Sequence, residues 1–335
     1  QVLEVAIERA RILRDLSNIV HAAQSRAGEE YIAQQGKNPA TSTETVVTIA
    51  LCVPMTSRGT LMNSTSESPL WQHSFRTFLS ITDWQNPTFR YHWYLGFDRG
   101  DGIYDGPDAQ SRLRRDFFVH AMEEFGMQGL EENHAYHLLN DVLLLNLMYF
   151  DDYENAPSRV VSALIQQAYD DGCDYFYQIN DDSVMNTRGW AETLTGVLRN
   201  NPLGTNVGVT GPTDTNNVRI LTHAFVHRTH LEIFGRYFPY SFMNWWSDDW
   251  ISNVYGTDHT LRSHRITVTH DVRSQKTGSN NRYNIDYRAQ ARLLDELQAG
   301  HVKLSKWLTA HQMPPPALPM VCGYAPLIEK IEEVL

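Results

Sequence analysis

The chain has 335 residues, 42% of them hydrophobic and 20% charged, an ordinary globular composition that excludes wholesale disorder. Its net charge of -11 at pH 7 excludes a general nucleic-acid binder, which works by covering phosphates with Lys and Arg. No run approaches about 18 uncharged apolar residues, so no membrane-spanning helix is predicted, and the length fits roughly two domains or one large α/β domain with extensions.

Residues 1–34 predict one helix, with Val2, Ala6, Leu13, Leu16, Val20, Ala23 and Ala27 on a 4,3-type spacing broken by Arg9. Two readings of it stay open. It lies on the main domain as a stem-like extension, or it forms a coiled-coil stem that makes a homodimer. A Gly, Asn-Pro and Ser/Thr linker runs from Gly36 to Thr43. The texture then changes. Thr45–Val53 is a β-branched apolar run, a buried parallel strand by composition. Residues 70–82 predict a helix, Phe89–Phe97 a strand, 108–126 and 130–140 helices, and Val142–Tyr149 a third strand. Ser158–Asp170 is helical in its spacing, and Tyr175–Ile179 is a fourth strand running into Asn180, Asp181 and Asp182. Strands alternating with helices predict an α/β fold with a mostly parallel sheet, in which ligands sit beyond the carboxyl ends of the strands. Beyond it come a helix over 187–198, short strands at Val207–Thr210 and Leu221–Val226, a helix start at Thr229–Phe234 and a strand at Arg265–Thr269. A last helix spans 286–309, and Met313–Pro319 opens a proline-rich tail. The domain reading is therefore 1–43 stem and linker, 44–311 main domain, 312–335 tail.

Three scattered cysteines, Cys52, Cys173 and Cys322, support neither a disulfide framework nor a zinc site, and the first two read as core residues. Low cysteine use points to a reducing, cytoplasmic setting, while the sequon Asn63-Ser64-Thr65 points to a secretory lumen. The sequence begins at Gln1, which predicts a piece of a longer chain with any signal or anchor upstream. His223 and His227 stand four apart, but Ala224 occupies the place of a zincin's Glu, and a strand there keeps the pair from sharing one ion.

The chemistry-bearing positions cluster at strand ends. Asp181 and Asp182 follow an apolar strand, where carboxylates hold Mg²⁺ or Mn²⁺ together with substrate phosphates. Thr56, Ser57 and Arg58 end the first strand with hydroxyls and a cation suited to a nucleotide diphosphate. Asp98 ends the second as an acceptor for a base or ribose. Arg159 opens a helix from which it reaches towards a phosphate. In Trp245-Trp246-Ser247-Asp248-Asp249-Trp250, rings offer sugar-stacking faces and a carboxylate can act as general base. Residues 262–282 carry five basic side chains against Asp271, a local cationic segment that suits a diphosphate as a mobile lid.

These residues resemble the GT-A class of nucleotide-sugar glycosyltransferases over roughly residues 45–275. The matching elements are PMTSR, GFD, YFYQINDDS as the DxD-like motif and WWSDDW downstream; the acidic triplet with a later DDW is similar to inverting Golgi N-acetylglucosaminyltransferases. The resemblance implies a Rossmann-like GT-A sheet and a nucleotide-diphosphate sugar donor, UDP-sugar favoured. It implies transfer to a hydroxyl of a glycan or glycoprotein, helped by Mn²⁺ or Mg²⁺. Carried over by position, Arg58 and Asp98 contact the nucleotide, Asp181 the ribose or donor sugar, and Asp182 the metal. Asp249 is the base with Asp248 beside it, and Trp245, Trp246 and Trp250 wall the acceptor. His270, ending a strand, is the candidate for completing the metal shell. Asn180 stands where the motif's first acid often stands, which removes one negative charge. A Golgi or secretory enzyme without its anchor and a cytoplasmic one both fit. Two alternatives remain at this stage, a sugar nucleotidyltransferase and a non-catalytic glycan-binding module with a degenerate site.

Overall fold

The computed structural model of the chain describes residues 46–83, 86–124, 142–270 and 287–316. The stem helix and linker, the helix over 130–140, Cys322, most of the cationic segment and the end of the tail lie outside the described residues. Among the described residues, no helix is long and apolar enough to cross a membrane.

Eight strands form one sheet in the order β3-β2-β1-β4-β7-β6-β8-β5. They are β1 (Val47–Met55), β2 (Phe89–Asp98), β3 (Leu143–Phe150), β4 (Tyr175–Gln178), β5 (Ser183–Met185), β6 (Val209–Asp214), β7 (Phe225–His227) and β8 (Thr260–His270). The expected parallel sheet is present as β3-β2-β1-β4. The other half is mixed, because β7 runs antiparallel to β4 and β6, and β5 antiparallel to β8. β5 is too short to leave a periodic signal in the sequence, and β8 is longer than its apolar part alone predicts.

The helices are α1 (Pro69–Gln72), α2 (Ser74–Ile81), α3 (Ala109–Glu124), α4 (Pro157–Asp170), α5 (Trp190–Arg199), α6 (Thr229–Phe234), α7 (Ser247–Asn253), α8 (Gly256–His259), α9 (Tyr287–Gln290) and α10 (Leu293–Ala310). The two-residue period of β1 decides the layering. Ile49, Leu51 and Val53 pack in one core with Phe75 and Phe78 of α2, Phe117 of α3 and Trp190 of α5. Ala50 and Cys52 point to the other core, with Val161 and Leu164 of α4, Trp250 of α7 and Leu304 of α10. Both faces of β1 are buried, which is why its sequence is an unbroken apolar run. Cys52 and Cys173 are buried free thiols, as expected, and burial pushes Cys173 up to about 11.

The chain runs outward from β1 to β2 to β3 and then returns to place β4 on the opposite side of β1. The exits of β1 and β4 therefore diverge, leaving the crevice at which open α/β sheets bind ligands. Close packing continues into the mixed half. A Cβ on Gly211 of β6 would lie 2.6 Å from the carbonyl oxygen of His223. Backbone cannot yield there as a flexible side chain does, so Gly211→Ala is expected to destabilise the fold by about 1–3 kcal/mol. Urea unfolding measures it; a loss below about 0.5 kcal/mol, the scale of an ordinary surface change, would contradict this packing.

Candidate functional site

At the exit of β1 the chain must turn where two strands part, and the carboxylate of Asp101 organises that turn. Ser57 donates to it through its backbone N–H at 2.8 Å and its hydroxyl at 2.6 Å, and the Thr56 hydroxyl at 3.2 Å. The backbone N–H groups of Ile103 and Tyr104 donate to it as well. Burial works to raise Asp101, but these donors outweigh it and hold its carboxyl below the usual range. Thr56 and Ser57, expected at a diphosphate, thus brace the β1 and β2 exit loops together. Arg58 Nη1 lies 2.6 Å from Asp98 Oδ2, and its Nε 3.4 Å from Glu154. Burial raises Asp98 against the pull of Arg58, and Asp98 Oδ1 is buried without a hydrogen-bond partner in the described residues.

On the other side of the crevice, Asn180, Asp181 and Asp182 join β4 to β5. β5 pairs with the end of β8 so that Ser183 stands opposite His270. This register brings His270 Nε2 to 3.0 Å from Asp182 Oδ1 and 3.4 Å from Asn180 Nδ2. Burial alone would discharge His270; the hydrogen bond and charge of Asp182, with Asp214 and Asp181 behind it, lift its pKa above the ordinary value. Asp181 and Asp182 are both about 1% exposed. Asp181 holds α2 in place, its carbonyl accepting from the Ser74 hydroxyl. His223 Nε2 sits 3.1 Å from the Ser183 hydroxyl, and burial pushes His223 down to about 4. His227 lies instead against Tyr175, so the two histidines serve separate places.

A buried carboxylate beside an imidazole is a donor set that suits Mn²⁺. Among the described residues no three His, Cys, Asp or Glu side chains gather to hold an ion. Two protein donors fit a cation whose remaining shell comes from phosphate oxygens and water.

Trp246 turns with a φ of 77°, a region bulky residues rarely adopt, and starts α7. The hydroxyls of Ser158, in the first turn of α4, and of Ser247 lie 2.9 Å apart and both donate to the carbonyl of Asn244. The two acids diverge. Asp248 Oδ1 accepts from Gln178 Nε2 at 3.3 Å, at the end of β4. The Gln178 amide is oriented by the Tyr237 hydroxyl, which donates to Oε1 at 3.2 Å. Burial of the carboxyl pushes Asp248 up to about 7, against the Gln178 bond and with Asp249 adding to the rise. Asp249 is raised by burial too, opposed by its own backbone N–H and by Arg219.

Of the expected acceptor wall, Trp245 is exposed and Trp246 half-buried, whereas Trp250 is 2% exposed and packs in the core against Phe234, its indole donating to Glu296 O. Trp250 is committed to the core, so it walls no solvent-facing site. Arg159 lies against Tyr240, its guanidinium 4.0 Å from the ring centroid and its Nη2 donating to Tyr240 O. Sequence reasoning misses Gln178, Tyr237, Asp214, the bracing role of Asp101 and the contact of His223 with Ser183. A lone Gln in the apolar YFYQI run was the one available signal.

No family model matches the chain, and no curated protein matches it. Similar solved structures exist at low identity. One is the mannosyltransferase PcManGT from Pyrobaculum calidifontis in complex with GDP-Man and Mn²⁺, at TM-score 0.47 and 14% identity over 94% of this chain and 81% of that one. Another is S. aureus TarS, at TM-score 0.43 and 9% identity over 79% of this chain and 43% of that one, so the chain spans less than half of TarS. The TarS 1–349 complex with UDP-GlcNAc gives TM-score 0.44 and 8% identity over 77% and 66%.

Proposed function

We propose that the chain is a glycosyltransferase. It moves a sugar from a nucleotide-diphosphate donor, UDP-sugar favoured, to a hydroxyl of a glycan or glycoprotein, with inversion at the anomeric carbon. The observation that carries this reading is the Asp182–His270 pair together with Asp248, which Gln178 holds and on which the charge of His270 also acts.

Asp98 Oδ1 accepts an N–H of the base or a ribose hydroxyl, with Arg58 fixing the carboxylate. Asp181, by its place in the same turn, faces the donor sugar. Asp182 and His270 would hold Mn²⁺ or Mg²⁺, which, when bound, neutralises charge gathering on the departing diphosphate. Asp248 takes the proton of the acceptor hydroxyl. That oxygen bonds to the anomeric carbon as the bond from carbon to phosphate oxygen breaks, its electron pair leaving with the diphosphate. The family resemblance gives the base to Asp249. The Gln178 contact supports Asp248 instead, because a general base must be aimed at the reacting centre and have a pKa near the working pH.

Thermal unfolding with UDP- and GDP-sugars, with and without Mn²⁺, tests donor binding; a ligand that binds only the folded chain stabilises it by about 2.7 kcal/mol at one hundred times its Kd. One donor class is expected to raise Tm, more so with Mn²⁺, and no shift from any donor would refute the reading. Because Asp248 must be ionised to accept a proton, kcat/KM is expected to fall as pH drops below about 7. A rate flat down to pH about 5 would remove Asp248 as the base.

A further inference from the structure

Among the described residues, Tyr240 and Trp245 are the exposed large aromatic side chains, at 58% and 47%, and both lie in the segment leading into α7. Exposed rings five positions apart in one segment give flat faces on which the C–H faces of a sugar can stack. Two arginines flank one of them. The Arg159 guanidinium lies 4.0 Å and that of Arg236 5.7 Å from the centroid of the Tyr240 ring.

In a chain of net charge -11, a bare pair of arginines is notable, and among the described residues neither forms an ion pair with a carboxylate. Arg159 spends Nη2 on the Tyr240 carbonyl, while its Nε is buried without a hydrogen-bond partner. A stacked guanidinium has its face covered and its edge donors left for a planar or tetrahedral anion. Position ties this surface to the site. Arg159 follows Ser158 and Asp248 follows Ser247, and the Ser158 and Ser247 hydroxyls lie 2.9 Å apart. We propose that Tyr240, Trp245, Arg159 and Arg236 form the acceptor subsite, and that the acceptor is an anionic saccharide bearing a carboxylate, sulfate or phosphate.

The word acceptor rests on the glycosyltransferase reading; the anion preference rests on charge complementarity alone. Arg159 then serves the acceptor rather than a nucleotide phosphate. The test is binding of the full chain to an array that pairs sialylated, glucuronylated, sulfated and phosphorylated saccharides with their neutral parents, alongside titration with UDP and GDP. Wild type is expected to prefer anionic members by about tenfold or more, the scale of one charge-assisted hydrogen bond. Arg159→Ala/Arg236→Ala is expected to erase that preference and leave nucleotide binding intact. Equal binding to neutral parents, no retention of any saccharide, a preference that survives the double substitution, or a loss of nucleotide binding would each overturn the proposal. Anionic preference lost in the double variant, in a chain that turns over no donor, would refute the glycosyltransferase reading while leaving the subsite standing.

Discussion

Asp182→Ala is expected to lower sugar transfer by at least about 10²-fold and to abolish any gain in nucleotide affinity from Mn²⁺. Asp182 is 1% exposed, and its carboxylate lies 3.0 Å from His270 Nε2. The substitution removes the carboxylate that raises the His270 pKa, and burial then favours the neutral ring, so no bare buried charge is left behind. The fold is therefore expected to survive, with the urea midpoint little changed. Equilibrium titration with UDP and GDP in Mn²⁺ or EDTA measures the effect. Undiminished metal-dependent binding in the variant would take Asp182 out of the metal site.

Asp248→Asn is expected to reduce transfer by about 10²-fold or more, the usual scale of a general base, with donor affinity unchanged. Asp249→Asn is expected to cost less, since it is Asp248, not Asp249, that accepts from Gln178 at the end of β4. Gln178 gives a second handle. Its amide is fixed by Tyr237 and donates to Asp248, so Gln178→Leu lowers kcat more than it changes donor KM, and adds little on top of Asp248→Asn. Steady-state kinetics of the three variants and the double variant decide this. A larger loss from Asp249→Asn would restore the base to the position that the family resemblance gave it.

Much of this fold is legible in the sequence because β1, β2 and β4 are buried on both faces and read as apolar runs, and because α4 and α5 carry clean helical spacing. The acids at the exit of β4 are legible for the same reason: a charged pair just after a buried strand marks that strand's carboxyl end. The mixed half is harder to read. β5 and β7 have three residues each, and their pairing depends on register between distant segments. The Asp182–His270 contact follows from that register; the residues alone offer His270 as a strand end, and the family resemblance is what sets it beside Asp182 in one metal shell. Asp101, Gln178 and Tyr237 act through hydrogen bonds to residues far along the chain, and no local spacing encodes those. Trp250 shows the converse. It stands next to an acid in an aromatic run, yet its place on the inner side of α7 commits it to the core.

The most direct measurement is release of nucleotide diphosphate when the full chain is incubated with UDP- and GDP-sugars, Mn²⁺ and saccharide acceptors. Release of UDP or GDP is expected with matching appearance of a glycosylated acceptor, and both are expected to be lost in Asp182→Ala and Asp248→Asn. Absence of release from every donor, or release unaffected by both substitutions, would contradict the glycosyltransferase reading.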